Sequence, residues 1–432
     1  MKKKEVPQDL KYYKGSVIRD LTYALDDEGH YEAVRSDGWA PKTEALDIFL
    51  ETLDDQEERE KMELEVPTAF KGHELKINHR HAAHCENGTI SSLLRFYGIN
   101  LSEPMVFGLA SGLFFAHLTF VKMNGMPVTT FRTIPGVLFK RISRLLGIKA
   151  ASQRFLSKEK AMRKLDELIL EKQIPVGCVV GIYELPYYPP ENRFRFNGHN
   201  ICIIGKDEEN GEYRVLDSNA TEKVTITRDD LIKVRFAKGA YPLMGQMYWI
   251  KSIPADLPDR LRTDKPDVDF LKPLVLKAIK DTCKNMTSQP KWFPYVGING
   301  IQYLSRKMRT WEKTLGKRKA RLYLVQVIRM LEEIGTGGAG FRFVYGAFLQ
   351  EASERTGIPE LNDYSLRITE IGDMWRDFGY KASKVFKRRA GDDLTYDDLA
   401  DMVEKIGEAE RSFYLDLLKV VDSYIKGEEV KK

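Results

Sequence analysis

The sequence lacks any long hydrophobic run. None of its 432 residues falls in an uninterrupted apolar stretch of the roughly 18 residues that a membrane-spanning helix needs. The basic residues 2–4 are followed by no apolar segment, so the N-terminus does not resemble a secretion signal. With 43% hydrophobic and 30% charged residues, we expect a globular protein that does not associate with a membrane.

Cysteine is also scarce. The four cysteines, Cys85, Cys178, Cys202 and Cys283, follow neither the spacing of a disulfide framework nor that of a zinc site. We therefore expect a reducing, cytoplasmic setting. Cys178 and Cys202 lie within apolar runs that predict buried strands, and Cys283 lies on a predicted helix with no histidine nearby in sequence.

The net charge of +5 is unevenly distributed. Residues 1–70 carry ten Lys and Arg against eighteen Asp and Glu, whereas residues 71–250 carry 25 against 17 and the remainder 33 against 28. A basic body with an acidic N-terminal arm suits an acidic partner. Charge alone would suit a nucleic acid equally well, but no nucleic-acid motif supports that reading.

Composition divides the chain into three predicted units. Residues 1–70 predict an acidic arm, containing a hairpin over residues 20–34 and a helix from Pro41, which we interpret as a docking unit. Residues 71–253 predict a helix block followed by an antiparallel sheet, with residues 175–183 as a buried strand and residues 246–250 closing the sheet. Residues 254–432 follow a proline-rich linker and predict an all-helical domain, so that the fold class is α+β.

The stretch HRHAAHCENG at residues 79–88 places Cys85 at a predicted helix start. An apolar stripe at Ile90, Leu93, Leu94 and Tyr97 follows with helical spacing, and Gly98 then occupies a position typical of a helix end. The positive end of a helix dipole favours thiolate over thiol. Cys85 is therefore a candidate nucleophile, although a lone cysteine is more often a small buried apolar residue.

A histidine and an aspartate supply the partners that a thiolate nucleophile needs. His199 opens a predicted strand and Asp217 lies in the next one, so His199 would be the base and Asp217 would orient it. The two residues lie opposite each other only if the connecting loop centres on residue 208; a tight turn at Asn210-Gly211 would hold them about 17 Å apart. Asn219 is a reserve orienting residue.

Three further histidines surround the candidate nucleophile. His79, His81 and His84 invite a metal site, but no carboxylate accompanies them in a ligand pattern, and we predict none. His79 stands six residues before Cys85, where papain-like enzymes often place an oxyanion-binding side chain. Packing, or an orienting role for His84, is the alternative reading. The backbone N–H of Cys85 is the simpler oxyanion donor.

A glycine-rich loop in the helical region could cradle a phosphate. It comprises Gly335, Thr336, Gly337, Gly338 and Gly340, followed by Arg342. It opens a helix, whose first N–H groups can bind an anion. Because it lacks the Lys-Ser/Thr pair of a nucleotide-binding loop and follows no strand, ATP is not expected. A phosphopantetheine seat and a close helix–helix turn are the remaining alternatives.

Several motifs resemble the butirosin biosynthesis protein H family. They are HCENG at residues 84–88 with the helix LLxxYG at 93–98, LSEPMVFGLASGL at 101–113, and the Gly198-His199 pair. The segment IGTGGAGFR at 334–342 is similar to the uncharacterised helical domain that commonly follows this family. The resemblance covers roughly residues 75–425 and leaves the acidic arm outside.

The resemblance implies a papain-like fold that works as an acyltransferase in natural-product biosynthesis. It implies Cys85 as nucleophile, His199 as base and Asp217 as the third residue. The donor would be the phosphopantetheine thioester of an acidic acyl carrier protein, the acceptor a small-molecule amine, and no cofactor would be bound permanently. A papain-like peptidase or amidase and a non-catalytic carrier-binding scaffold are the alternatives. The acyl group, the acceptor, the oligomeric state and the direction in which the glycine-rich loop faces stay open.

Overall fold

The computed structural model describes residues 21–25, 31–35, 70–123, 125–188, 196–239, 242–290, 292–387 and 394–429. The strands are β1 (Leu21–Leu25), β2 (Tyr31–Arg35), β3 (His73–Glu74), β4 (Leu113–Met123), β5 (Met126–Arg132), β6 (Lys149–Gln153), β7 (Val176–Gly181), β8 (Asn197–Asp207), β9 (Glu212–Leu216), β10 (Val224–Thr227) and β11 (Met247–Ser252). The helices are α1 (Cys85–Phe96), α2 (Glu103–Leu109), α3 (Val137–Leu145), α4 (Lys158–Asp166), α5 (Arg228–Arg235), α6 (Leu257–Arg260), α7 (Val268–Thr287), α8 (Gly297–Met308), α9 (Trp311–Leu315), α10 (Lys317–Ile328), α11 (Arg342–Thr356), α12 (Glu360–Lys387) and α13 (Tyr396–Glu429). The expected α+β class, an antiparallel sheet with a helical C-terminal region, is confirmed.

The N-terminal arm contains the predicted hairpin. β1 and β2 pair antiparallel, with Leu21 opposite Arg35 and Leu25 opposite Tyr31. The acidic helix predicted from Pro41 lies outside the described residues. The docking role of the arm and the boundaries at residues 70 and 253 stay predictions.

The main sheet is antiparallel and runs in the order β10-β9-β8-β7-β11-β6, with β3 added to β8. β7 is buried along its whole length, which confirms the strand predicted at residues 175–183. The prediction that residues 246–250 close the sheet is wrong, because β11 lies between β7 and β6. β6 is short, polar and largely exposed, so it lacks the apolar alternation by which an edge strand is recognised.

A second, two-stranded sheet is formed by β4 and β5. Residues 108–116 contain the end of α2, a close turn and the start of β4. α2 is capped by the Ser102 side chain and ends at Leu109, and β4 begins at Leu113 after Ser111 adopts a φ of 49°. β5 then returns and ends at Arg132, beside α1.

Two apolar clusters lie on opposite faces of the main sheet. Along β8, Cys202 and Ile204 face the larger cluster, whereas Ile201 and Ile203 face the smaller one beneath α4 and α5. The larger cluster is continuous from Leu75 on the sheet side to Val421 on α13. The C-terminal helices α7 and α11 pack directly against α2. None of the described helices combines the length and the apolar character needed to cross a membrane.

Candidate active site

The candidate nucleophile lies at the first residue of α1, as predicted. His84 is the N-cap residue, with extended backbone angles, and its Nδ1 accepts the backbone N–H of Asn87 at 3.3 Å. The helix ends at the expected place, where Gly98 adopts a φ of 76°. Cys85 is partly exposed, whereas Cys178, Cys202 and Cys283 are buried. Cys85 is therefore the one cysteine in the described residues that a substrate can reach.

A buried carboxylate holds the two residues that precede Cys85. Glu103 on α2 accepts the backbone N–H of Ala83 at 2.7 Å and that of His84 at 2.6 Å. Glu103 reaches this turn from the first residue of α2, which packs against α1. Hydrogen bonds that a carboxylate accepts from N–H groups are stronger than those between neutral groups. Glu103 thus fixes the backbone from which Cys85 projects.

His199 and Asp217 lie together, as the sequence predicted. His199 Nε2 lies 2.7 Å from Asp217 Oδ2, and both side chains are almost fully buried. Because Asp217 occupies Nε2, Nδ1 is the ring nitrogen left for the Cys85 thiol. Burial opposes protonation, but the Asp217 charge, the Cys85 charge and hydrogen bonds to both raise the pKa of His199 to about 10. The imidazole thus sits between the thiol and the carboxylate.

Asp217 is held as an anion in a closed environment. Burial opposes its ionisation, yet the charge and hydrogen bond of His199, with bonds from the Asn219 N–H and from Tyr187, lower its pKa below the usual range. Tyr188 adds its hydroxyl at 3.2 Å from Asp217 Oδ2 and 3.2 Å from His199 Nε2. Burial and the Asp217 charge raise the pKa of both tyrosines well above the ordinary value, so both stay protonated.

The strand register that brings this pair together differs from the predicted one. Cys202 pairs with Leu216, which puts Ile201, rather than His199, level with Asp217. Asp217 lies just beyond the end of β9, so the pairing of β8 with β9 does not fix its position. A bulge at Gly198, whose φ of 145° favours glycine, also shifts the pairing of β7 with β8 beside His199. The prediction of direct opposition was wrong, although the loop of residues 208–211 is longer than a two-residue turn.

Asn200 also contacts the candidate nucleophile, and sequence reasoning missed it. Its Nδ2 lies 3.9 Å from Cys85 Sγ and donates to the Gly198 carbonyl at 3.0 Å. Its Oδ1 accepts the Tyr248 hydroxyl at 2.8 Å. An asparagine next to the candidate base His199, in an apolar strand, belongs to no motif, so no pattern in the sequence pointed to it.

The histidines before Cys85 do not converge on a common point. His79 Nε2 lies 2.9 Å from the Ala220 carbonyl, and His81 Nδ1 lies 3.3 Å from the Ser218 carbonyl. The oxyanion role considered for His79 is therefore not supported, because its ring contacts the segment after Asp217. Burial and the charge of Arg132 lower the pKa of His84 well below the usual value, so His84 stays neutral and caps α1. No group of three or more potential metal ligands occurs among the described residues.

The reserve orienting residue Asn219 contacts Asp217 and Tyr188 rather than His199. Asn219 donates its Nδ2 to the Tyr188 hydroxyl at 3.1 Å and its backbone N–H to Asp217 Oδ1 at 3.0 Å. It therefore supports the carboxylate and does not replace it.

Glu86, next to Cys85, accepts from Arg132 at 2.8 Å and from the Gly136 N–H at 2.8 Å. These bonds tie the first turn of α1 to the end of β5.

The glycine-rich loop lies against the turn that carries Cys85. A side chain added at Gly335 would lie 3.4 Å from the Ala83 carbonyl and 3.8 Å from the His84 ring. Phe341, at a left-handed φ of 69°, places its ring edge-on to His84 with 5.1 Å between centroids. The loop therefore faces the candidate site, which the sequence alone could not establish.

The same loop is not free to cradle a phosphate. The N–H of Ala339 donates to the carboxylate of Glu332 at 3.2 Å, and Thr336 donates its hydroxyl to the Leu331 carbonyl. Residues 336–341 are buried. The predicted phosphate ligand Arg342 is fully buried and pairs bidentately with Glu410 at 3.0 Å. The helix–helix turn, the alternative to a phosphopantetheine seat at Gly335, Gly337, Gly338 and Gly340, is the better description.

Two family comparisons match adjoining parts of the chain. The family described as butirosin biosynthesis protein H, N-terminal, matches residues 84–218, and a domain of unknown function, DUF4872, matches residues 229–417. Both matches confirm the resemblance that the motifs indicated, and the first begins and ends at the candidate site, from His84 to Ser218. No curated protein matches the chain.

Proposed function

We propose that this chain, whose residues 84–218 belong to the butirosin biosynthesis protein H N-terminal family, is a cysteine-dependent acyltransferase with a papain-like catalytic core. The family supports a role in biosynthesis. The observation that carries the chemistry is that His199 hydrogen-bonds to both Cys85 and Asp217, with 2.7 Å between His199 Nε2 and Asp217 Oδ2. A cysteine at a helix start, packed against an antiparallel sheet that supplies the histidine, is the papain-like arrangement.

Acylation begins with attack of the Cys85 thiolate on the carbonyl carbon of a thioester. A bond forms between Sγ and this carbon, and the carbonyl electron pair moves to oxygen. When the tetrahedral intermediate collapses, the bond to the donor sulfur breaks, and the departing thiolate takes the proton of the His199 imidazolium. Since one thioester is exchanged for another, the step needs no external energy source.

Transfer to an amine follows from the change in charge at Cys85. The Cys85 charge and hydrogen bond help to raise the pKa of His199, and acylation removes that charge. His199 then gives up its proton more readily and can accept one from the attacking amine. The C–N bond forms, the bond to Sγ breaks, and the thiolate–imidazolium pair is restored.

The packing of the helical region supports transfer in preference to hydrolysis. An acyl-enzyme that waits for an amine must be shielded from water. Gly335 and Phe341 of the helical region contact Ala83 and His84, directly before the nucleophile. His199 and Asp217 are almost fully buried, so solvent reaches the site mainly at Cys85 itself.

We further propose that the donor is the phosphopantetheine thioester of an acyl carrier protein. Carrier proteins of this kind are acidic, and the excess of 25 basic over 17 acidic residues in residues 71–250 complements such a partner. With the glycine-rich loop closed by Glu332 and Arg342 paired with Glu410, the phosphate of the arm would bind elsewhere. The acceptor is proposed to be a small-molecule amine.

The proposal is tested by intact-protein mass after incubation with short acyl-pantetheine thioesters. We expect a gain of one acyl group in the wild type and none in Cys85→Ala. The matched control Cys178→Ala removes a buried thiol and should still be acylated. Added amines should discharge the acyl group much faster than buffer does.

Two other outcomes favour the alternatives. Discharge in plain buffer as fast as with amines would indicate a thioester hydrolase or an amidase with the same three residues. The absence of any adduct with a range of donors would contradict acyl transfer through Cys85 and favour the carrier-binding scaffold.

A further inference from the structure

The amide of Asn200 has one orientation that satisfies its neighbours. The Gly198 carbonyl accepts only, so the side-chain atom 3.0 Å from it must be the Nδ2 donor. Oδ1 then accepts the Tyr248 hydroxyl at 2.8 Å. The second N–H of Nδ2 is left for Cys85 Sγ, at 3.9 Å. The side chain is buried, with 2% exposure.

Three adjacent strands build this orientation. Asn200 lies on β8 and Tyr248 on β11, with β7 between them. The Tyr248 ring crosses β7 over Gly177, where an added Cβ would lie 2.4 Å from the ring. Gly177 thus leaves the space through which Tyr248 reaches Asn200. Burial raises the pKa of Tyr248 well above its usual value, so the hydroxyl stays a donor to Oδ1.

We propose that the Asn200 amide is the side-chain oxyanion donor of the site, acting together with the backbone N–H of Cys85. The inference rests on the proposed function, because it assigns a role within acyl transfer through Cys85. It replaces the role considered for His79, whose ring contacts Ala220. Asn200 is thereby a catalytic residue, since it contacts the reacting sulfur.

The geometry fits a donor that acts on the transition state. During attack the carbonyl oxygen gains charge while bonded to the carbon that Sγ has just bound. A donor close to Sγ, and fixed by two other hydrogen bonds, can bind that oxygen without reorganising. The backbone N–H of Cys85 lies in the first turn of α1, where helix N–H groups have no intrahelical acceptor. Two donors therefore approach the oxyanion from β8 and from α1.

A pair of reactions distinguishes this role from activation of the thiol. Acylation of Cys85 by a thioester or by p-nitrophenyl acetate passes through an oxyanion, whereas alkylation by iodoacetamide displaces iodide and forms none. Asn200→Ala should slow acylation by about 10²–10³-fold, the effect typical of losing one oxyanion donor. It should leave alkylation within a few-fold of the wild type. His199→Ala should slow both reactions.

Two further variants keep the test interpretable. Asn200→Asp retains the size of the side chain and the acceptor for Tyr248, and it should lose acylation at least as strongly as Asn200→Ala. Tyr248→Phe keeps Nδ2 but loosens its orientation, so a smaller loss is expected. Equal loss of acylation and alkylation in the Asn200 variants, or no loss of either, would overturn the proposal. If pantetheine thioesters fail to acylate the wild type while p-nitrophenyl acetate succeeds, the donor proposed above is wrong and Asn200 is still tested.

Discussion

Glu103→Gln should displace the candidate nucleophile Cys85 without substituting Cys85, His199 or Asp217. The carboxylate accepts the N–H groups of Ala83 and His84 at 2.7 and 2.6 Å. Glutamine retains one acceptor oxygen and turns the other position into an NH₂ donor that faces a backbone N–H. One charged hydrogen bond is lost and one buried donor is left opposite another donor.

The magnitude follows from these two losses. A hydrogen bond to a charged group contributes about 1.5–3 kcal/mol, and an unsatisfied buried group costs about 1–3 kcal/mol. Because the glutamine amide can rotate and share its remaining oxygen, we expect the free energy of unfolding to fall by about 2–4 kcal/mol. The turn before Cys85 should shift, and a misplacement of about 1 Å can reduce a rate by about 100-fold.

Urea denaturation and iodoacetamide alkylation of Cys85 measure the two effects separately. Glu351→Gln is the matched control, because Glu351 is also buried, at 4% exposure, and bonds to Ser102 and Arg355 rather than to the turn before Cys85. It should lower stability but leave alkylation unchanged. If Glu103→Gln alkylates and acylates at the wild-type rate, Glu103 does not position the nucleophile, and the reasoning above fails.

Three further predictions concern the residues around the site. Asp217→Asn should lower the pKa of His199 from about 10 toward 6.5, since Asp217 supplies the largest favourable charge; an unchanged imidazole titration by NMR would contradict this. In the wild type the raised pKa of His199 contributes stability that is fully present below pH 6.5 and is lost as the pH rises through about 10. The melting temperature of Asp217→Asn should therefore no longer fall over this alkaline range. Tyr188→Phe removes a hydroxyl shared by His199 and Asp217, and should lower the free energy of unfolding by about 1–2 kcal/mol in denaturant titrations. An unchanged free energy of unfolding would contradict this role of the hydroxyl. Glu410→Gln leaves the fully buried Arg342 without its charge partner, and should lower the free energy of unfolding by about 3 kcal/mol. The KM for an acyl donor should not change; a raised KM would indicate that Arg342 binds the donor after all.

Sequence reasoning succeeded where a local pattern determines structure. The start and end of α1 follow from an apolar stripe and a glycine, and Cys85 and Gly98 occupy the positions that these signals indicated. The buried strand β7 follows from its continuous apolar run. β6 was missed because it is short and polar. The pairing of β4 with β5 was missed because its register shifts twice and the buried face of β5 includes Pro127 and Thr129 beside Phe131, which do not form an apolar stripe in the sequence.

The residues that hold the candidate site residues in place could not be predicted from local sequence patterns, because they act through contacts between residues distant in sequence. Glu103 reads as an ordinary acidic residue in the first turn of a helix, where the dipole favours it, yet its carboxylate binds the turn 19 and 20 residues earlier. Tyr188 reaches His199 only because the segment after β7 folds back over Asp217.

The role of the glycine-rich loop could also not be decided from its sequence alone. Its composition is equally typical of an anion site and of a close-packed turn, since both need backbone conformations that favour glycine. Two side chains that lie outside the loop decide between an anion site and a close-packed turn. Glu332, whose carboxylate accepts the Ala339 N–H, and Glu410, which neutralises Arg342, occupy the places that a phosphate would take. The loop instead brings Gly335 and Phe341 against Ala83 and His84. Its glycines therefore allow the helical region to approach the turn that carries the candidate nucleophile, and this structural role takes the place of the predicted phosphate site.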